Sequence, residues 1–168
     1  PKSKEQLKNA VVVYQALSKD LDFPGGPHGP IGEWDVSKVT DMSAIFMGAA
    51  FFTENISKWD VSRVKDMSQI FAHATQFNGD ISRWDVSSVT TMNSMLKAAA
   101  SFDGDISKWN TSSVSDMEGI FRWVTSFNGD ISKWDVSSVT VMTSMFDNTV
   151  FNGDISSWSV SNVISMEA

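Results

Sequence analysis

The chain has 168 residues, 42% of them hydrophobic and 20% charged, with a formal net charge of −7 and no cysteine. That balance fits a folded protein of one ordinary domain's size and excludes disulfides and thiolate metal sites. It argues against nucleic-acid binding and against docking on anionic membrane, which need a basic surface. No apolar run approaches the ~20 residues that cross a bilayer. No basic start followed by an apolar stretch marks a signal peptide, although the first residue, Pro1, leads us to expect that an upstream segment was removed.

The first element is a helix within residues 3–20. Ser3 and Gln6 have the spacing of a capping box. Leu7, Ala10, Val11, Tyr14 and Leu17 recur at helical spacing and define one apolar face. Its simplest role is to cap the first layer of the repeats that begin at residue 31, with docking to a partner as the alternative. Phe23-Pro24-Gly25-Gly26-Pro27-His28-Gly29-Pro30 is a rigid linking loop, and His28 is expected there as a solvated residue rather than a ligand. Residues 1–30 thus form an N-terminal cap and loop.

From residue 31 the sequence repeats. Trp34, Trp59, Trp84, Trp109 and Trp134 are 25 residues apart, and Trp158 comes after 24. The unit reads I-x-x-W-D-V-S-x-V-x-D-M-x-x-M/I-F, then a variable stretch, then F-N-G-D. Six units fill residues 31–168, the last one cut short. Trp and Val two apart in I-x-x-W-x-V suggest a short strand. The next Met, Met/Ile and Phe, with a small residue such as Ala49, Ala74 or Ala99, fall at i, i+3, i+4 and i+7, the pattern of one helical face. Thr40 or Asp41 would cap that helix. Asn-Gly, as in Phe77-Asn78-Gly79-Asp80, is a turn dipeptide because both residues tolerate positive φ. The expected fold is therefore an α/β repeat solenoid, in which each unit buries its apolar face only by stacking on the next. The serine column, Ser37, Ser62, Ser87, Ser112, Ser137 and Ser161, is complete. It is expected to be a ladder of buried hydroxyls bonded to neighbouring backbone.

This pattern has a family resemblance. Ile131-Ser132-Lys133-Trp134-Asp135-Val136-Ser137-Ser138-Val139-Thr140, with Met142, Met145 and Phe146 after it, resembles the BspA-like repeats of mycoplasma lipoproteins and other bacterial surface proteins. The resemblance runs from about Gly29 to the end. It implies a leucine-rich-repeat-like right-handed coil of short parallel strands and short helices, displayed on the cell surface and used for binding. One departure stands out: the column that carries Asn in ordinary leucine-rich repeats is Val here (Val39, Val64, Val89), with Ser two positions earlier.

Stacking turns columns into stripes. Asp35, Asp60, Asp85, Asn110 and Asp135 would form an acidic row on the strand face, beside Lys58, Arg83, Lys108 and Lys133. The simplest expectation is a self-neutralising ladder; the sharper one is a face for a basic protein segment or cations. The oxygen-rich Asn-Gly-Asp loops raise Ca²⁺ as an alternative, although their spacing matches no known calcium loop. The variable stretch carries Arg122 and Trp123, the latter off the Trp column. Variable positions on a constant scaffold are where partner choice is written, and Trp is a favoured anchor. No nucleophile elbow, phosphate loop, dinucleotide fingerprint or metal-ligand His cluster is present. Ice binding through Thr40, Thr90 and Thr140 is weakened by Lys65, Ser115 and Ile164 in the same column. The expected function is a non-catalytic protein-interaction or assembly module without a cofactor, with a protein partner, and with the uncapped C-terminal end as one candidate contact. The alternatives are a structural spacer and a Ca²⁺-stabilised surface adhesin.

Overall fold

A computed structural model describes residues 1–17 and 28–167. The linking segment from Phe23 to Pro27, the end of the helical stretch at 18–20, and Ala168 lie outside the described residues. Helix α1 spans Lys4–Leu17, with Leu7, Ala10, Val11 and Tyr14 buried. Ser3 Oγ accepts the Gln6 N–H at 3.3 Å, and Gln6 Oε1 accepts the Lys2 N–H at 2.9 Å. Lys4 reaches from α1 to Asp41 at 3.2 Å, and the Tyr14 ring meets Trp34 edge-on, so α1 packs on the first repeat unit.

The expected α/β solenoid of strands and helices does not form. Among the described residues the only regular elements are α1 and a single 3₁₀ turn, Ile31–Glu33. Parallel pairing is confined to five isolated bridges, Asp41 with Asp66, Asp66 with Thr91, Thr91 with Asp116, Asp116 with Val141 and Val141 with Ser165, and no sheet results. The leucine-rich-repeat-like coil that the resemblance implied is overturned with it.

Each 25-residue unit is instead a coil made of consecutive three-residue turns. In the second unit Trp59 N bonds Ile56 O, Val64 N bonds Val61 O, Ile70 N bonds Met67 O, Ala72 N bonds Gln69 O, Ala74 N bonds Phe71 O and Phe77 N bonds Ala74 O. The i, i+3 spacing of apolar residues is real, but it belongs to turns that close i→i+3 and not to a helix that closes i→i+4. A helix is barred because two residues per coil hold positive φ. They are Ala44 (57°) and Gly48 (73°) in the first coil, Gln69 and His73 in the second, Ser94 and Ala98 in the third, Gly119 and Trp123 in the fourth, and Ser144 and Asn148 in the fifth. Such left-handed residues occur singly and cannot propagate a right-handed helix.

The reversal of φ aims alternate N–H groups in different directions. Met67, Gln69, Phe71 and His73 donate to carbonyls of Thr91, Asn93, Met95 and Lys97 in the next coil, while Ile70 and Ala72 between them close the turns and Ser68 donates to the Asp66 carboxylate. The strand reading fails for a related reason. Trp59 and Val61 are buried with Asp60 exposed between them. Yet the extended stretch is interrupted on both sides by turns, and neighbouring Asp and Ser side chains offer the backbone local bonds that compete with a ladder.

The core is one continuous column. Each indole N–H donates to a carbonyl of the preceding coil: Trp59 to Ile31, Trp84 to Ile56, Trp109 to Ile81 and Trp134 to Ile106, at 2.8–3.3 Å. Phe52, Phe77, Phe102, Phe127 and Phe151 stack with centroids 5.9–6.1 Å apart. The Asn-Gly pairs owe their glycine to this column. A Cβ on Gly79, Gly129 or Gly153 would sit 2.7–2.8 Å from the ring of Phe77, Phe127 or Phe151. Gly79, Gly104, Gly129 and Gly153 are not among the positive-φ glycines, so close approach of an aromatic ring, and not turn handedness, selects them.

Candidate functional site

Every coil turns its corners on an Asp-x-Ser motif. Asp60 Oδ1 accepts both the N–H and the hydroxyl of Ser62, at 3.1 and 2.6 Å, and Asp35, Asp85 and Asp135 bind Ser37, Ser87 and Ser137 in the same way. Asn110 takes this role for Ser112. The motif recurs after the loop glycine, where Asp80, following Asn78-Gly79, holds Ser82 and Asp105, following Asp103-Gly104, holds Ser107. These bonds favour the charged form and keep the carboxyls of Asp35, Asp60, Asp80, Asp105, Asp130, Asp135 and Asp154 below the usual carboxylate range; the Ser hydroxyl is the main cause, except at Asp154, where the Ser156 N–H leads.

Two expectations change here. The serine column is not a buried ladder between coils. Ser37, Ser62, Ser87, Ser112 and Ser137 are half-buried, Ser161 is exposed, and the hydroxyls of those five bond within their own coil. The ties between coils come from other hydroxyls: Ser113 to Ser87 O, Ser138 to Ser112 O, Thr90 to Lys65 O and Thr140 to Ser115 O. The self-neutralising ladder is likewise not formed. Of Lys58, Arg83, Lys108 and Lys133, all exposed, only Lys58 makes an ion pair among the described residues, and it pairs with Glu33 at 2.7 Å and not with the acidic row. Arg83, Lys108 and Lys133 act through space on the carboxylates three residues before them, Asp80, Asp105 and Asp130.

These corners are therefore structural turns, closed through one carboxylate oxygen of each Asp. No group of three or more His, Asp or Glu residues among the described ones is arranged to hold a metal ion. Among the described residues no helix is long and apolar enough to cross a membrane.

The variable stretch is different. Its residues occupy the same turns in each coil but carry unrelated side chains. Equivalent positions hold Met47, Ala72, Lys97, Arg122 and Asp147; the next column holds Gly48, His73, Ala98, Trp123 and Asn148. Trp123 is 39% exposed, although its backbone sits at φ 60°. That is an outlier for a bulky residue. Lys97 Nζ lies 5.3 Å and Arg122 Cζ 4.6 Å from its ring centroid. Arg122 Nε also binds Asp147 at 2.8 Å. Met47 and Phe51 are exposed on the same stretch of the first coil, Phe51 at 78%. Lys97 belongs to the variable stretch but is not singled out by sequence, because a lone lysine gives no signal until the next coil places Trp123 beside it.

Neither a search of curated proteins nor one of solved structures finds a match. Two overlapping segments, residues 20–114 and 83–168, match one protein family. The chain belongs to the family described as Mycoplasma protein of unknown function, DUF285.

Proposed function

We propose that this chain is a non-catalytic protein-interaction module, a rigid repeat stack that presents its variable stretch to a protein partner. The observation that carries this reading is the contrast between columns. Trp, Val and Phe columns recur almost unchanged through the stack, while the columns containing Arg122 and Trp123 differ in every coil. Binding residues concentrate on variable segments held by a rigid scaffold. The resemblance to BspA-like surface proteins adds display at the cell surface. A structural spacer is the second reading, and one observation favours it: no buried side-chain polar atom among the described residues lacks a hydrogen-bond partner.

A photo-crosslinking amino acid placed at Ser101, on the variable stretch, and at Ser138, on an Asp-Ser corner, separates the two in the cells that make the protein. The module reading expects one protein species to be captured from Ser101 and not from Ser138. Capture from neither position would favour the spacer.

A further inference from the structure

The variable edge around Trp123 offers donors and apolar surface, with the Asp147 carboxylate already taken up by Arg122. The Lys97 ammonium has no carboxylate within ion-pair distance among the described residues, and it lies against the Trp123 ring. The indole N–H of Trp123 has no hydrogen-bond partner among the described residues, whereas the six column tryptophans all donate to backbone carbonyls. Arg122 uses Nε on Asp147, which leaves its other N–H groups for a ligand. A cluster of free donors on a chain of net charge −7 calls for an acceptor-rich, anionic partner.

Trp123 is also where it is at a cost. The equivalent position of the first coil is Gly48, at φ 73° with open space around it. Trp in left-handed backbone is disfavoured, more so than the Gly48 and Asn148 that hold the same column in other coils. An observed strained, exposed side chain is a sound starting point for assigning function.

We propose that Lys97, Arg122 and Trp123 form the anchor of a docking edge for an extended, acidic segment of a partner protein, a proposal that rests on the interaction-module reading. The stack sets the dimensions. Trp123 lies in the fourth coil and the exposed Met47 and Phe51 in the first, so three layers separate them along the axis. Equivalent phenylalanine rings of neighbouring coils lie 5.9–6.1 Å apart, so a partner segment that reaches both anchors must be extended and must pass Lys97 in the third coil. The segment therefore carries apolar side chains for Trp123 and for Phe51, and a carboxylate between them for Lys97.

The test selects a phage-displayed random peptide library on the immobilised full chain. Affinities of the enriched peptides are then measured for the wild type, Trp123→Gly, Lys97→Gln and the remote control Ser138→Ala. Glycine suits the φ of residue 123, and urea unfolding of each variant confirms that it still folds. Enriched peptides are expected to carry Asp or Glu between apolar residues. They should weaken about tenfold with Trp123→Gly and with Lys97→Gln, and be unchanged by Ser138→Ala. Peptides that lack carboxylates, or that are indifferent to both edge variants, would overturn the docking edge and leave the module reading standing. No enrichment of any peptide would overturn both.

Discussion

The indole N–H of Trp109 donates to the carbonyl of Ile81, one coil earlier, at 3.1 Å. The same bond recurs in each neighbouring coil, so the tryptophan column is both the apolar core and a hydrogen-bonded seam between coils. Trp109→Phe should keep most of the packing and remove one of two bonds to the Ile81 carbonyl, which also accepts the Trp84 N–H at 3.1 Å, at a cost of about 0.5–1.5 kcal/mol. Trp109→Ala should cost about 3–5 kcal/mol. Urea unfolding measures both, and no measurable loss in Trp109→Phe would mean that the hydrogen bond contributes nothing beyond ring volume.

How much of the fold is legible in the sequence depends on the residue. The period, the Trp column and the stacking logic follow from the recurrence of Trp34 through Trp158. The local geometry does not. Met67, Ile70 and Phe71 are spaced as on a helix, and nothing in their identities reveals that Gln69 and His73 take positive φ. Ala, Gln, His, Ser and Trp occupy such positions here, so the usual glycine signal is missing in most coils. The site divides in the same way. Trp123 stands out as a tryptophan off its column, whereas Lys97 and the indole's unpaired N–H require the fold.

The Asp-Ser corners predict acid sensitivity. Folded-state carboxyls held below their ordinary range contribute stability that is fully present above the unfolded pKa and is lost as the pH falls through the folded one. Asp60 and Asp135 are held down chiefly by the hydroxyls of Ser62 and Ser137. The melting temperature should fall as the pH drops below ~4, and the Ser62→Ala/Ser137→Ala double variant should show a smaller fall between neutral and acid pH than the wild type. An identical fall in both proteins would remove the hydroxyls from the explanation.

The Asp-Ser corners also make a prediction about calcium. Asp80 and Asp105 direct their Oδ1 atoms at the serine two residues on and not at a shared centre. Melting midpoints in excess Ca²⁺ and in chelator should coincide. A rise with calcium would show ligand binding to the native state and would revive the oxygen-rich loops as a cation site.

Thr111 replaces the valine of the other full coils, is fully buried, and donates to the Asp135 carbonyl at 2.9 Å. Because Val61, Val86 and Val136 fill the same position without a hydroxyl, Thr111→Val should change stability by less than ~1.5 kcal/mol. A larger loss in thermal unfolding would identify this bond as one the fourth coil cannot do without.

Left-handed turns, where the sequence pattern suggests helices, are what define these coils. Gly48 tests this most directly, because it has φ 73° and no atom within 4 Å of the position a Cβ would take. The unfolding free energy of Gly48→Ala in urea isolates backbone conformation from packing. Turns of this kind predict a loss of about 1 kcal/mol, since alanine is strained where φ is positive. A gain of about 1 kcal/mol, the effect of the same substitution inside a helix, would contradict them.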